Sequence, residues 1–368
     1  MKADIITLHA INNYGSVLQA YATQELFEAK GVNINIINYI REDVLPNNIL
    51  KSNGANSLFK KIILLPSIKK QNYIFDNFRT EYLNLTEKKY ITKSDFDNYK
   101  SDADFFVTGS DQVWNSTWNK GIILPLYLSF ISSKPKISYS ASFGKESITK
   151  NEIELTQKYI NEYMAISVRE KSAIDIIKKQ YKYNNVVQIL DPTLVLPKEF
   201  WKKFSNKGKK YKNYVLIYQL NRNKDFDHYA SQIAKRLNCN LIRICRGYHQ
   251  ILLNGKSVVI PSVETFVSLF DNATFVVTDS FHALSFCTNL NIPFACIFPN
   301  NFNTRLKSHL EMFELVDRHV DNYNNFEILN KKIDWGKVNS ILEEKRIETH
   351  KYVDNCLKNI LKGKKDEK

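Results

Sequence analysis

No apolar run in this sequence approaches the roughly 20 residues that a membrane helix needs. The amino terminus, "MKADIITLHAINNYG", sets Asp4 where a secretory signal would carry its apolar core. These two absences lead to the expectation of a cytoplasmic protein. Cysteine is sparse: Cys239, Cys245, Cys287, Cys296 and Cys356 all fall in the carboxy-terminal half, with neither a C-x-x-C pair nor a zinc-like spacing among them. That excludes a disulfide framework and a zinc finger, and the five read as reduced, mostly buried small residues. Histidines and acids also lack ligand spacing, so no metal is expected. No internal repeat is visible, and no long disordered segment beyond the "KGKKDEK" end.

Acid is scarce where base is dense. The formal net charge is +14, and the stretch "KKFSNKGKKYKN" at 202–213 contains no acid at all. It also lacks the alternation of aromatic and basic residues that stacks bases, and no helix-turn-helix or zinc motif accompanies it, so nucleic acid is not expected as a partner. A basic surface attracts anionic substrates and the anionic inner leaflet of a membrane, each basic residue near that surface contributing about 1 kcal/mol. A peripheral contact at the inner face of the membrane therefore stands beside the plainer account, in which solvated lysines keep the chain soluble.

What is present is an ordinary globular composition, 368 residues with 43% hydrophobic and 24% charged, enough for two cores. Short β-rich runs alternate with helical patterns, the mark of a parallel α/β architecture. "ADIITLH" (3–9), "NINIINY" (33–39), "ADFFVTG" (103–109), "KISYSASFG" (136–144), "MAISVRE" (164–170) and "VVQILD" (186–191) read as strands, with a helix after the "NNYG" turn. Residues of about 41–100 are less regular and read as a helical insertion. Two prolines bracket "LDPTLVLP" (190–197), which marks a boundary. A second series follows: "NYVLIYQL" (213–220), a helix at 228–238, "LIRICR" (241–246), a helix capped by Ser262, and then strand, turn, helix and strand within 273–298. The expectation is two tandem Rossmann-like domains, 1–194 and 195–334, in a GT-B-like arrangement with a helical tail at 335–368 and the active site in the cleft between the domains. In such sheets ligands bind beyond the carboxyl ends of the strands, so the polar residues that follow strands carry the functional information.

Three such junctions stand out. "GSDQVWN" (109–115) follows a buried strand: Gly109 for a sharp turn, acceptor oxygens on Ser110 and Asp111, an amide on Gln112, and on Trp114 a flat face of the kind that stacks on sugars. Asp111 could equally serve as an Asx-turn or cap carboxylate, and Trp114 as core. "NNYGS" (12–16) repeats the device, with Gly15 for the turn, Asn12, Asn13 and Tyr14 toward a substrate, and Ser16 as a helix cap. In "FVVTDSFHALSF" a strand ends at Val277 and Ser280 or Asp279 can cap a helix from Phe281. Its amino end would bind phosphate or carboxylate, with His282 in the first turn. A lone histidine reads first as a buried residue bonded to nearby backbone.

The blocks "NNYGSVLQAYATQ", "VTGSDQVWN", "SYSASFG", "ISVRE", "LDPTLV", "VVTDSFHALSF" with "NIPF", and "NTRLKSHLEMFELVDR" together resemble the polysaccharide pyruvyl transferase family, in the family's order from about residue 5 to residue 320. Ala283 departs from its commonest pattern, in which glycine follows the histidine. The resemblance implies transfer of pyruvate from phosphoenolpyruvate to two hydroxyls of a sugar as a cyclic ketal, with release of phosphate, in surface polysaccharide or cell-wall polymer synthesis. Phosphoenolpyruvate would be a co-substrate rather than a cofactor, and the sugar acceptor could be lipid-linked. The resemblance gives Arg169, at the end of "SVRE", a donor contact in place of a surface pair with Glu170, since a guanidinium grips carboxylate or phosphate through paired hydrogen bonds. It makes His282 the general acid or phosphate ligand, because protonating an enol carbon needs a group titrating near neutrality. Asp111 would orient or deprotonate an acceptor hydroxyl, Ser280 and Phe281 would line the donor site, and Arg305 would be either a second anion ligand or an ordinary helix-surface charge. Since fold alone does not fix function, the competing expectations are a GT-B glycosyltransferase using a nucleotide sugar and a non-catalytic carbohydrate-binding relative.

Overall fold

A computed structural model describes residues 1–45, 48, 58–208, 211–299 and 303–366. The chain divides into two compact units: Met1–Leu45 with Arg79–Val195 and Glu343–Lys368, and Pro46–Phe78 with Leu196–Leu342. Against the expected domains, the division at 195/196 lies one residue on, residues 46–78 of the insertion fall in the second unit, and the tail expected as a separate segment is split between the units at 342/343.

The first unit is built on Lys2–Ile6 (β1), Tyr14–Glu28 (α1) and Asn33–Tyr39 (β2), the last coinciding with the expected strand. The expected helical insertion resolves into a helix, Leu58–Tyr82 (α2), with Pro66 inside it, and an edge strand, Leu85–Tyr90 (β3). Residues 46–57, apart from Asn48, lie outside the described residues. Phe105–Thr108 (β4), Lys136–Ser138 (β5), Lys150–Ile160 (α3), Ile166–Val168 (β6) and Val186–Gln188 (β7) follow. Every residue of β4 is buried, as is every residue of β1 after Lys2. A strand covered on both faces needs apolar side chains on both, which is why neither shows a simple alternation. The strands run parallel in the order β3-β2-β1-β4-β5. Single bridges from Ile137 to Ala165 and from Ala141 to Val168 carry the pairing on to β6 and β7. The run expected as one strand at 136–144 is thus a three-residue strand that continues only as isolated bridges, because Ser140 adopts a left-handed backbone (φ 53°).

The second unit contains Lys198–Ser205 (α4), Tyr214–Tyr218 (β8), Lys224–Arg236 (α5), Asn240–Cys245 (β9), Lys256–Val259 (β10), Val263–Asp271 (α6), Phe275–Thr278 (β11), Phe281–Leu290 (α7), Phe294–Cys296 (β12) and Thr304–Met312 (α8). Its parallel sheet has the order β10-β9-β8-β11-β12. Ser262 caps α6 by accepting the Thr265 N–H, as the sequence implied. The chain ends in one helix, Trp335–Asp366 (α9), whose later turns belong to the first unit: Thr349 Oγ1 accepts the Leu190 N–H at 3.2 Å, and the Tyr352 hydroxyl donates to the Ser138 carbonyl at 2.8 Å.

Both sheets share one topology. The strand order reverses between β1 and β4 in the first unit and between β8 and β11 in the second, and the carboxyl ends at such a reversal form a crevice between diverging loops.

Candidate active site

At the first reversal, the segments after β1 and β4 are tied together by polar side chains. The Thr7 hydroxyl donates to the Ser110 carbonyl at 2.8 Å, and the Ser16 hydroxyl donates to the Asp111 carboxylate at 2.8 Å. Ser16 is therefore not the cap expected of it; Asn13 caps α1, its carbonyl oxygen accepting the Gly15 N–H at 2.9 Å. Gly15 is correspondingly the second helical residue rather than a turn, and Tyr14, the first, is buried. Asn12 accepts a hydrogen bond from Arg79. Gly109 sits in a close approach, since a Cβ there would lie 3.0 Å from Thr7 Cβ and press on it. The left-handed turn falls instead on Asp111 (φ 75°), a conformation that aspartate tolerates better than most residues.

Arg169 stands at the end of β6, buried rather than on the surface. Its Nη1 donates to Asp191 at 2.7 Å and its Nη2 lies 3.5 Å from Asp111. Burial opposes the charge, but the Asp191 and Asp111 carboxylates outweigh it and raise the guanidinium pKa. Asp191 in turn accepts the Thr193 hydroxyl at 2.6 Å and N–H at 3.0 Å, with the Ser110 hydroxyl at 3.4 Å. The surface pair with Glu170 does not exist: Glu170 is fully buried and accepts from Ser142 and from the Phe143 and Gly144 amides. The reading of Arg169 as an open fork for the donor is corrected too, since its Nη atoms face two carboxylates of the same unit.

The structure thus joins Ser110, Asp111 and Arg169, and adds Ser16 and Asp191. Asp191 was missed because the dipeptide it forms with Pro192 reads as boundary punctuation; its place directly after a strand-like run was the available signal. Gln112 and Trp114 turn elsewhere. The Gln112 side-chain oxygen accepts from Asn115 at 2.8 Å. Trp114 is 1% exposed, its ring packed by Tyr127, Phe143 and Tyr163 and its indole N–H donated to the Leu126 carbonyl. With its faces covered, it offers no platform for a sugar. A cavity of about 390 Å³ does open beside the carboxyl ends of β2 and β3, lined among others by Tyr39, Arg41, Asp43, Lys93, Asn119 and Pro125. Its wall hangs on the loop after β4, because the Asn119 amide donates to the Gln112 and Val113 carbonyls while accepting from Arg41 at 2.7 Å.

At the second reversal, the helix α7 begins immediately after β11. Ser280 is its N-cap, with the Ala283 N–H 3.5 Å from the serine hydroxyl. Asp279 does not cap; it reaches across the reversal, accepting the Leu220 and Asn221 amides at 2.6 and 2.7 Å and the Asn221 side chain at 3.0 Å. Burial raises its carboxyl pKa against the downward pull of those donors. His282 occupies the second helical position, 7% exposed, with the Phe281 ring edge-on to it. Phe281 also packs edge-on to His309, which pairs with Thr288 Oγ1 at 2.8 Å. Arg305, in the first turn of α8, brings its guanidinium to 6.0 Å from the Phe281 ring centre. Ser280, Phe281, His282 and Arg305 are therefore one group, to which His309 is added. Ala283 is an interior helical residue and needs no glycine. No group of three histidine, cysteine, aspartate or glutamate residues is arranged to hold a metal among the described residues.

The polysaccharide pyruvyl transferase family profile matches residues 13–300, well over half of the chain. The chain belongs to the polysaccharide pyruvyl transferase family. Both strand-end groups lie within the matched region, apart from Thr7 and Asn12, which precede it, and Arg305 and His309, which follow it. No curated protein matches this family member's sequence. Among solved structures it is similar to a putative UDP-N-acetylglucosamine 2-epimerase from Listeria monocytogenes, at 11% identity and TM-score 0.54 over 92% of this chain and 90% of that one. It is also similar to UDP-GlcNAc 2-epimerase from Methanocaldococcus jannaschii, at 14% identity and TM-score 0.50 over 93% and 92%. These likenesses establish a shared fold, two Rossmann-like sheets of the GT-B type.

Proposed function

We propose that this pyruvyl transferase family member takes phosphoenolpyruvate as donor and forms a cyclic ketal on two hydroxyls of a sugar. The observation that carries the proposal is the start of α7, where a serine-capped helix end, a histidine in the first turn and an arginine on the next helix converge. Backbone N–H groups and the helix dipole at such an end favour phosphate or carboxylate. In this reading Arg305 adds charge, and His282 protonates the methylene carbon of the enol phosphate. One sugar hydroxyl then bonds to the resulting electrophilic carbon and loses its proton, phosphate leaves with its bonding electrons, and the second hydroxyl takes its place with loss of its own proton. The products are ketal and inorganic phosphate. Arg169 acts at one remove, holding Asp111 and Asp191 in place. The cavity beside β2 and β3 mixes apolar wall with hydrogen-bonding groups, the make-up of a sugar site, and replaces Trp114 as the acceptor platform.

The test is phosphate release from phosphoenolpyruvate by the full chain, with a panel of lipid-linked and aryl sugars and parallel reactions containing nucleotide sugars. Sugar-dependent phosphate release with a mass gain of one pyruvate ketal is expected. Turnover of a nucleotide sugar with none of phosphoenolpyruvate would replace this reading by a glycosyltransferase.

A further inference from the structure

Scattered single apolar residues on a surface need no explanation, but here they gather. Of the twelve large apolar side chains exposed among the described residues, six fall on two adjoining pieces of the second unit: Ile63, Leu65 and Tyr73 on α2, and Tyr248, Ile251 and Leu252 in the loop between β9 and β10. The two pieces are fastened side by side. The Tyr248 N–H donates to Ser67 Oγ at 2.9 Å, the Gln71 amide donates to the Arg246 carbonyl at 2.6 Å, and Lys70 donates to the Val259 carbonyl at 2.7 Å. The loop is also internally bonded, Ile251 N to the Tyr248 carbonyl and Leu253 N to the Gln250 carbonyl, both at 3.1 Å. Leu252, at its tip, is left 96% exposed.

The charge along these two segments is mainly basic. Lys69 and Lys70 lie on α2, with one acid, Asp76, a turn beyond Tyr73, and no acid occurs from Arg246 to Ile260, which includes Lys256. An apolar patch flanked mainly by basic residues suits an interface that is apolar just beneath an anionic surface, and a bilayer with anionic headgroups is such an interface. An acidic protein partner would cover the same patch without any lipid, and the vesicle experiment below separates the two.

We propose that α2 and the β9–β10 loop form a membrane-docking surface, with Leu252, Ile251, Tyr248 and Tyr73 entering the headgroup boundary and Lys69 and Lys256 pairing with anionic lipid. No described helix is long and apolar enough to cross a membrane, and the attachment proposed here is peripheral and reversible. It is independent of the reaction chemistry proposed above, and its test does not use activity.

The full chain is sedimented with vesicles of phosphatidylcholine, with and without phosphatidylglycerol, at low and high salt. Binding is expected only to the anionic vesicles and to weaken with salt. Leu252→Glu should lower partitioning by about tenfold or more, and Lys69→Glu by roughly fivefold. Ile347→Glu, an exposed apolar position on α9, should change nothing. Circular dichroism of each variant separates lost binding from lost folding; should Leu252→Glu misfold, Leu252→Ser takes its place. The proposal is overturned by absence of binding, by equal binding to neutral vesicles, by a folded Leu252 variant that binds as well as the parent, or by a Leu252-dependent dimer in light scattering without vesicle binding.

Discussion

Each unit places a histidine a few residues beyond a strand of its reversal, and the two could hardly be more different. His9, after β1, is fully buried, its Nε2 is 3.2 Å from the Ile37 carbonyl, and burial with the nearby Arg79 charge lowers its pKa to about 3. His282, after β11, opens a helix beside an aromatic ring and near an arginine. The carboxylates contrast in the same way. Asp111 and Asp191 in the first unit close around Arg169, whereas Asp279 in the second turns back onto the loop after β8 and leaves the helix end to a small, neutral serine. A reversal of strand order supplies a crevice in both units. In the first, the opening turn of α1 is already met by Asp111 through Ser16; in the reading proposed above it is the serine-capped start of α7 that takes the anion.

The largest break in this comparison should come from His282. General acid catalysis is typically worth about 10²–10⁴-fold, so His282→Ala should lose turnover by that order. His282→Gln, which keeps a hydrogen-bond donor but supplies no transferable proton, should lose nearly as much, with phosphoenolpyruvate affinity followed by calorimetry. A glutamine variant that keeps most of the rate would make the residue a phosphate ligand only.

Arg169 should break in stability first. Removing it leaves two buried carboxylates uncompensated, a loss of about 3–5 kcal/mol, so Arg169→Met should lower the melting temperature of the first unit by roughly 6–20 °C, while His282→Gln leaves it nearly unchanged. Arg169→Lys should fall between, since it keeps the charge but cannot reach both acids with a planar fork. Melting of the methionine variant at the parent temperature would show the pair to be replaceable.

His9 gives a smaller, pH-dependent effect. The unfolded chain takes up its proton near pH 6.5 and the native chain only near pH 3, so this contribution is fully present above pH 6.5 and lost as pH falls toward 3. Between pH 6.5 and 5 the loss is about 2 kcal/mol. His9→Gln, which can still donate to the Ile37 carbonyl, should flatten that dependence, read as hydrogen-exchange protection of the β1 and β2 amides at the two pH values. An unchanged slope would place the acid sensitivity elsewhere.

Which parts of this were legible in sequence follows from range. β2 was readable to the residue, and so was the cap at Ser262, because a strand end or a helix start is written in a few consecutive residues; before α7 the same few residues offered two caps, Ser280 and Asp279, and the structure uses Ser280. β3 was not: as an edge strand its "EKK" centre faces solvent, so it lacks the apolar content by which a strand is recognised. Trp114 was ambiguous because what buries it, Tyr127, Phe143 and Tyr163, is spread over some fifty residues. Arg169 was misjudged for a similar reason. A charged residue is exposed unless partners are brought to it, and Asp111 and Asp191 are distant in sequence on either side.

The smallest expected effect tests the helix end itself. Glycine usually follows the histidine in this family, and if that glycine served a tight turn, Ala283 would be a strained substitute. Here position 283 is the third residue of α7, fully buried, and its N–H faces the Ser280 hydroxyl at 3.5 Å. Ala283 lies in an ordinary helical conformation, outside the positive-φ positions of the chain. Alanine is the better helix former by about 1 kcal/mol, because glycine loses more backbone freedom on folding. Ala283→Gly should therefore destabilise the second unit by about 0.5–1 kcal/mol, seen as faster exchange of the α7 amides, and leave turnover within about twofold of the parent. A gain in stability or a large rise in turnover would mean that the backbone after His282 needs a conformation alanine resists, and the geometry assigned to this helix end would have to be revised.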